Sequence, residues 1–138
     1  MTFTPLCAII LAGFWSPSSL TSQVIAEPIK PKVEIGKTYT EDEVRKIAIK
    51  YGNKWGVEPE KLVTLAFCES TFRNIQSTIV TDGVRENSHG LYQIHLDTQP
   101  TITKEQAYNV EFSADWAAEK ISKGEIWRWK RCMIKYNL

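Results

Sequence analysis

The stretch Leu62-Val63-Thr64-Leu65-Ala66-Phe67-Cys68-Glu69-Ser70-Thr71-Phe72 decides how this chain is read. Leu62, Leu65, Ala66, Glu69 and Phe72 follow the i, i+3, i+4, i+7 rule, so they share one face of a helix. Pro59 lies just upstream, where the first helical turn loses nothing by a missing N–H. The companions on this face are apolar, which turns it inward and puts Glu69 where an unpaired carboxylate is costly. Partial desolvation disfavours the charged form, and the negative end of the helix dipole acts in the same direction, so both raise its pKa. A carboxyl kept protonated near neutral pH can give a proton to a departing oxygen and then serve as base. The alternative is structural: Glu69 pairs with Arg45, Arg73 or another base and only stabilises the fold.

Upstream, Thr40-Glu41-Asp42-Glu43 is a capping box, followed by Val44, Ile47, Ala48 and Tyr51 on one apolar face, which predicts a helix from about Thr40 to Lys54. Downstream, residues 74–100 lose the helical rhythm. Ile79-Val80-Thr81 is β-prone, Asp82-Gly83 is a turn, and a second strand or bend is expected near Leu91 to Ile94. Thr103-Lys104-Glu105-Gln106 is another capping box, with Val110, Ala114, Ala117, Ala118 and Ile121 on the packed side of a helix ending near Ser122. Gly124 is a stop signal, and Ile126, Trp129, Met133 and Tyr136 mark a last amphipathic segment with Cys132 beside them. The expected architecture is α+β, mainly helical, with one small hairpin and loop region.

The chain has 138 residues, enough for one core and hardly two. Phe3 to Trp15 form an apolar run of signal-peptide length, followed by small polar residues and by Val24-Ile25-Ala26 as a cleavage site, although the leader has no Lys or Arg. The run falls short of the roughly 20 apolar residues that span a bilayer, and the surroundings of Cys7 do not suit lipidation. Residues 1–26 are therefore read as a signal peptide, 27–38 as an extended Pro- and Lys-rich linker, and 39–138 as the folded domain of an exported protein, periplasmic or secreted. Removing the leader leaves Cys68 and Cys132. An oxidising compartment invites one disulfide between them, worth roughly 3 to 4 kcal/mol by loop closure; two buried thiols are the alternative. The net charge of +1 gives no electrostatic argument for nucleic acid or an anionic membrane, so a neutral or zwitterionic partner is expected; separately, the chain is expected to be a monomer.

Three stretches together carry a resemblance. Leu65-Ala66-Phe67-Cys68-Glu69-Ser70-Thr71-Phe72 is similar to the helix-ending acid-serine signature of lytic transglycosylases and goose-type lysozymes. Ser88-His89-Gly90-Leu91-Tyr92-Gln93-Ile94 resembles their Gly-Leu-x-Gln-Ile motif, with Tyr92 where methionine is commonest. Asn109-Val110-Glu111-Phe112-Ser113-Ala114-Asp115-Trp116-Ala117 is similar to their third pattern, an Asn opening the next helix. The resemblance covers about Tyr39 to Asn137 and implies a lysozyme-like fold acting on peptidoglycan glycan strands, with no metal or cofactor. It implies Glu69 as the acid/base and Ser70 beside it. Gln93 and the backbone at Leu91 and Tyr92 would line the groove, and Gly90 would permit close backbone approach. Asn109 and Tyr136 complete the implied substrate-binding set. Tyr136-Asn137 matches the family's late Tyr-Asn motif, but the chain stops at Leu138 where the family continues with Ala-Gly and a further helix.

A lysozyme holds a water, generally with a second carboxylate, whereas a lytic transglycosylase uses one acid and the sugar's own C6 hydroxyl. Asp82 reads as turn chemistry, Glu86 as a solvated charge and Asp97 as a loop or cap residue, so no partner stands out. The preferred expectation is a transglycosylase cutting the MurNAc-β-1,4-GlcNAc bond to 1,6-anhydromuramoyl products, with hydrolysis as the alternative. A non-catalytic wall-binding module using the five tryptophans, Trp127 and Trp129 among them, is the rival from another class. A Cys68 nucleophile with His89 or His95, and zinc on His89, His95 and Glu86, are weaker readings.

Overall fold

The structure, a computed structural model, describes residues 33–138; the expected signal peptide lies outside the described residues. Helix α1 spans Glu41–Trp55 and α2 spans Pro59–Ser70. The first capping box forms reciprocally: the Glu43 amide donates to Thr40 Oγ1 at 3.2 Å, and the Thr40 amide donates to Glu43 Oε2 at 2.8 Å. Two antiparallel pairs of short strands follow. Strands β1 (Val80–Thr81) and β2 (Val84–Arg85) flank Asp82-Gly83, and strands β3 (Ser88–His89) and β4 (Ile94–His95) pair Ser88 with His95 and His89 with Ile94. Asp82 and Gly83 have φ of 51° and 78°, the left-handed pair of a two-residue hairpin turn. The chain closes with α3 (Lys104–Tyr108), α4 (Val110–Ser122), a 3-10 turn at Ile126–Trp129 and α5 (Lys130–Tyr136). The class is α+β and mainly helical.

The core is where three helices meet. Leu62, Leu65 and Ala66 of α2 pack with Val44 and Ala48 of α1 and with Ala114, Ala117 and Ala118 of α4, while Leu91, Tyr92 and Trp129 close it. The alanines of α4 keep side-chain bulk small at the contact, so the helices can approach closely. Polar bridges add register between α1 and α4: Trp55 Nε1 and Lys54 Nζ donate to the Asp115 carboxylate at 2.7 and 2.8 Å, and Tyr51 donates to Glu111 at 2.6 Å.

Besides the second strand pair, where one small hairpin was expected, two elements differ from the sequence expectation. The single helix expected from Thr103 to Ser122 is two, because Asn109 takes an extended conformation (ψ 112°) and its side chain accepts from the Phe112 amide at 3.0 Å, capping α4. The described end of the expected linker is integrated into the fold. Gly36 N donates to the Asn74 carbonyl, Asn74 N donates to the Lys37 carbonyl, and Thr38 bridges Arg73. The buried Asn74 amide also donates to the carbonyls of Glu34 and Tyr108, at 2.9 and 2.8 Å, which ties this strip to the end of α3.

Gly90 shows why the turn between β3 and β4 has its sequence. Its φ is 84°, and a Cβ built there would lie 1.9 Å from the carbonyl oxygen of Ala107. The close approach that a side chain would block is therefore to the backbone of α3. Gly90→Ala is expected to cost at least about 2 kcal/mol in urea unfolding, from overpacking and left-handed strain together. Gly83→Ala, with a φ of 78° and nothing within 4 Å of its added Cβ, should cost only about 1 kcal/mol. Equal losses at the two positions would contradict the Ala107 contact as the cause.

Candidate active site

Helix α2 ends abruptly, and that ending builds the site. Thr71 and Phe72 both take positive φ, 51° and 61°, so the chain turns away directly after Ser70. Successive helical residues point about 100° apart, and Cys68, Glu69 and Ser70 accordingly face three directions. Cys68 forms a disulfide with Cys132 of α5, with a Cα–Cα distance of 5.9 Å. Ser70 is buried, and its hydroxyl lies 2.8 Å from the Leu91 carbonyl and 3.0 Å from the Ala66 carbonyl, two acceptors for one hydrogen. Glu69, half-buried, faces a groove of about 630 Å³ walled by the end of α2, the strand region and α5.

Burial is the largest cause of the Glu69 shift: its carboxyl is raised from 4.5 to about 7, with the negative charge of Glu86 adding to it and Arg131 opposing it. The structural alternative for Glu69 is not what the contacts show. Arg45 pairs with Glu41 and Glu60, and the Arg73 Nε donates to the Ser70 carbonyl and Thr71 Oγ1. Among the described residues no salt bridge joins Glu69 to a base. Its Oε1 lies 2.7 Å from the Cys132 sulfur. A disulfide sulfur has no hydrogen to give, so this approach becomes a hydrogen bond only when the carboxyl is protonated and donates to a sulfur lone pair.

The groove gathers some of the sequence-predicted residues and leaves others elsewhere. Glu69, Ser70 and Gln93 line it, as do both cysteines. Gln93, at φ 50°, donates from Nε2 to the carbonyls of Ile75 and Gly90 at 3.0 and 2.8 Å, so its amide first serves to hold the turn. Leu91 and Tyr92 are fully buried core residues, and Gly90 is packed under α3, so none of the three is among the groove-lining residues. Their contribution is indirect, since the Leu91 carbonyl receives Ser70 and the Tyr92 carbonyl accepts from Trp129 Nε1 at 2.9 Å. Asn109 is the cap of α4, and Tyr136 ends α5 beneath Lys135, whose Nζ is 5.1 Å from its ring; neither lines the groove.

Other residues at the groove were passed over in the sequence. Glu86 lines it, with its carboxylate accepting from Ser77 Oγ at 2.8 Å, whereas Asp82 and Asp97 do not. Arg73, Arg128, Lys130, Arg131 and Lys135 also line it and make it locally cationic, against the neutral character that net charge suggested. Cys68 is committed to its disulfide, which removes the thiolate a cysteine hydrolase needs. The two ring nitrogens of His89 contact Tyr108 Oη at 3.0 Å and Asn87 Oδ1 at 2.8 Å, so this imidazole is already engaged on both sides. The one cluster of potential metal ligands found among the described residues is Cys68, Glu69 and Cys132, two of which are bonded to each other.

No family model, curated protein or solved structure matches the chain.

Because the folded protein holds a proton on Glu69 that the unfolded chain releases near pH 4.5, stability falls as pH rises from about 4.5 to about 7. Glu69→Gln removes this dependence. At pH 8 the variant should exceed the parent by as much as about 3 kcal/mol in urea unfolding, and the difference should shrink toward pH 4.5. A difference that does not change with pH would show that the carboxyl is not desolvated.

Proposed function

We propose that the chain is a peptidoglycan lytic transglycosylase of lysozyme-like fold, with Glu69 as its general acid and base. The observation that carries this reading is a carboxyl raised to about 7, with no paired base among the described residues, on the wall of an open groove large enough for sugar rings. Support also comes from the placing of the three motifs: the first ends α2 at the acid, the second forms the β3–β4 turn behind it, and the third caps α4.

In this mechanism the protonated Glu69 gives its proton to the oxygen linking MurNAc to GlcNAc as the C1–O bond breaks. The resulting carboxylate then takes the proton of the MurNAc C6 hydroxyl, whose oxygen bonds to C1. Glu69 ends protonated again, and the product is the 1,6-anhydro sugar without consumption of water. The partly apolar wall, including the disulfide, keeps the acid neutral between turnovers.

A second reading is favoured by one observation. Glu86 lines the same groove and raises the pKa of Glu69 through its charge, which makes it a candidate to hold a water for hydrolysis of the same bond. Ser77, through its hydrogen bond to the Glu86 carboxylate, would orient it.

Glu69→Gln should reduce solubilisation of purified sacculi by roughly 10²–10⁴-fold while the protein still sediments with them. Unchanged turnover would remove Glu69 from the chemistry, and a parent that sediments with sacculi without solubilising them would be a binding module. Mass spectrometry of the products separates the two modes, the anhydro sugar being lighter by one water. The parent should lose activity as pH rises above about 7, and Glu86→Gln should move that alkaline limb to lower pH by removing a neighbouring negative charge. Products carrying reducing ends, lost in Glu86→Gln, would establish hydrolysis instead.

A further inference from the structure

The distribution of charge at the groove goes beyond the needs of the reaction. Five cationic side chains line it against two carboxylates, in a protein whose net charge is +1. Arg128 is neutralised by Glu125, at 2.5 Å. Lys130, Arg131 and Lys135 are exposed and, among the described residues, join no salt bridge. Arg73 stands on the α2 side of the groove, its Nε fixed by the Ser70 carbonyl and Thr71 Oγ1. Arg131 and Lys135 are four apart on a helix of seven residues, a spacing at which like charges repel. Proton transfer by one acid requires none of these four charges.

We propose that Arg73, Lys130, Arg131 and Lys135 form a carboxylate-binding subsite that holds the acidic substituents of muramyl residues as the glycan lies across Glu69. This rests on the peptidoglycan reading above. The neutral backbone of a glycan strand offers hydrogen bonds and ring faces, but a cationic rim gains nothing from them. Carboxylates along such a strand come from two sources: the lactyl group of MurNAc where it bears no peptide, and the stem peptide where it does. Guanidinium and ammonium groups at the groove edge suit both, as exposed charges that attract within a Debye length of about 8 Å.

The test measures binding in a Glu69→Gln background, so that the wall is not digested. Three preparations of sacculi are compared: untreated, stripped of stems by an amidase so that lactyl carboxylates are free, and untreated sacculi with carboxylates blocked as neutral ethanolamides. Protein with an intact rim should bind blocked walls roughly tenfold more weakly than untreated ones at low salt, with the gap closing at high salt. Adding Lys130→Gln with Lys135→Gln should weaken binding to untreated walls by a similar factor and abolish the difference between the two preparations. Arg73→Gln, on the opposite wall, should act in the same direction and serves if the double variant unfolds by circular dichroism. Binding retained on stripped walls assigns the lactyl carboxylate, and binding lost on them assigns the stem; both uphold the subsite. Equal binding of the intact-rim protein to blocked and untreated walls would overturn the subsite and leave the enzymatic reading standing. Failure of the folded protein to bind or cleave any wall would overturn both.

Discussion

Three consecutive residues at the end of α2 constrain everything around them. Cys68 is bonded to α5, Ser70 is hydrogen-bonded to the turn between β3 and β4, and Glu69 lies between these two anchors. Helical geometry makes the arrangement possible, because neighbours about 100° apart can reach a helix, a turn and a cavity at once. Both anchors lie at the groove, and each sets one wall of it. The acid is held by its neighbours in sequence more than by partners of its own. This leaves the carboxyl free to exchange its proton, and its burial keeps that proton on.

Much of the fold was legible because its signals are short-range. The boxes at Thr40 and Thr103, Pro59 at the start of α2 and Asp82-Gly83 at the hairpin all state their chemistry within four residues, and the structure uses each of them. What could not be read was backbone pairing between distant segments. Glu34 to Thr38 look like a polar linker by composition, but their amides and carbonyls find Asn74 and Arg73 far along the chain. The break at Asn109 was half-visible: its role as an opening residue was expected from the third motif, while the helical period ran across it unbroken. Periodicity reports which face is apolar and is blind to one residue leaving the helix.

At the site, the inward position of Glu69 followed from its helical face, and the cysteine pair followed from counting. The backbone at Leu91 and Tyr92 was expected along the groove, but a motif records which residues recur and not what their carbonyls bind. Here the side chains fill the core and the carbonyls hold Ser70 and Trp129. Glu86 was weighed as a partner acid and set aside as a solvated charge. An acid in a loop looks the same in sequence whether it is solvated or, as here, held by Ser77 at the edge of a cavity. The cationic rim escaped notice because a whole-chain net charge averages away a local excess.

The bond between Cys68 and Cys132 also shapes the chain after it has unfolded. It closes a ring across a sequence separation of 64, with Glu69 next to one of its cysteines and Arg131 next to the other. Heat or denaturant therefore cannot separate this acid from this base while the bridge is intact. In the folded protein the acid is desolvated and keeps its proton; in the oxidised coil it is hydrated and tethered near a guanidinium, which favours its release. Since Arg131 opposes the proton in the folded protein as well, what separates the two states of the oxidised chain is the desolvation of the acid and not the nearness of its base.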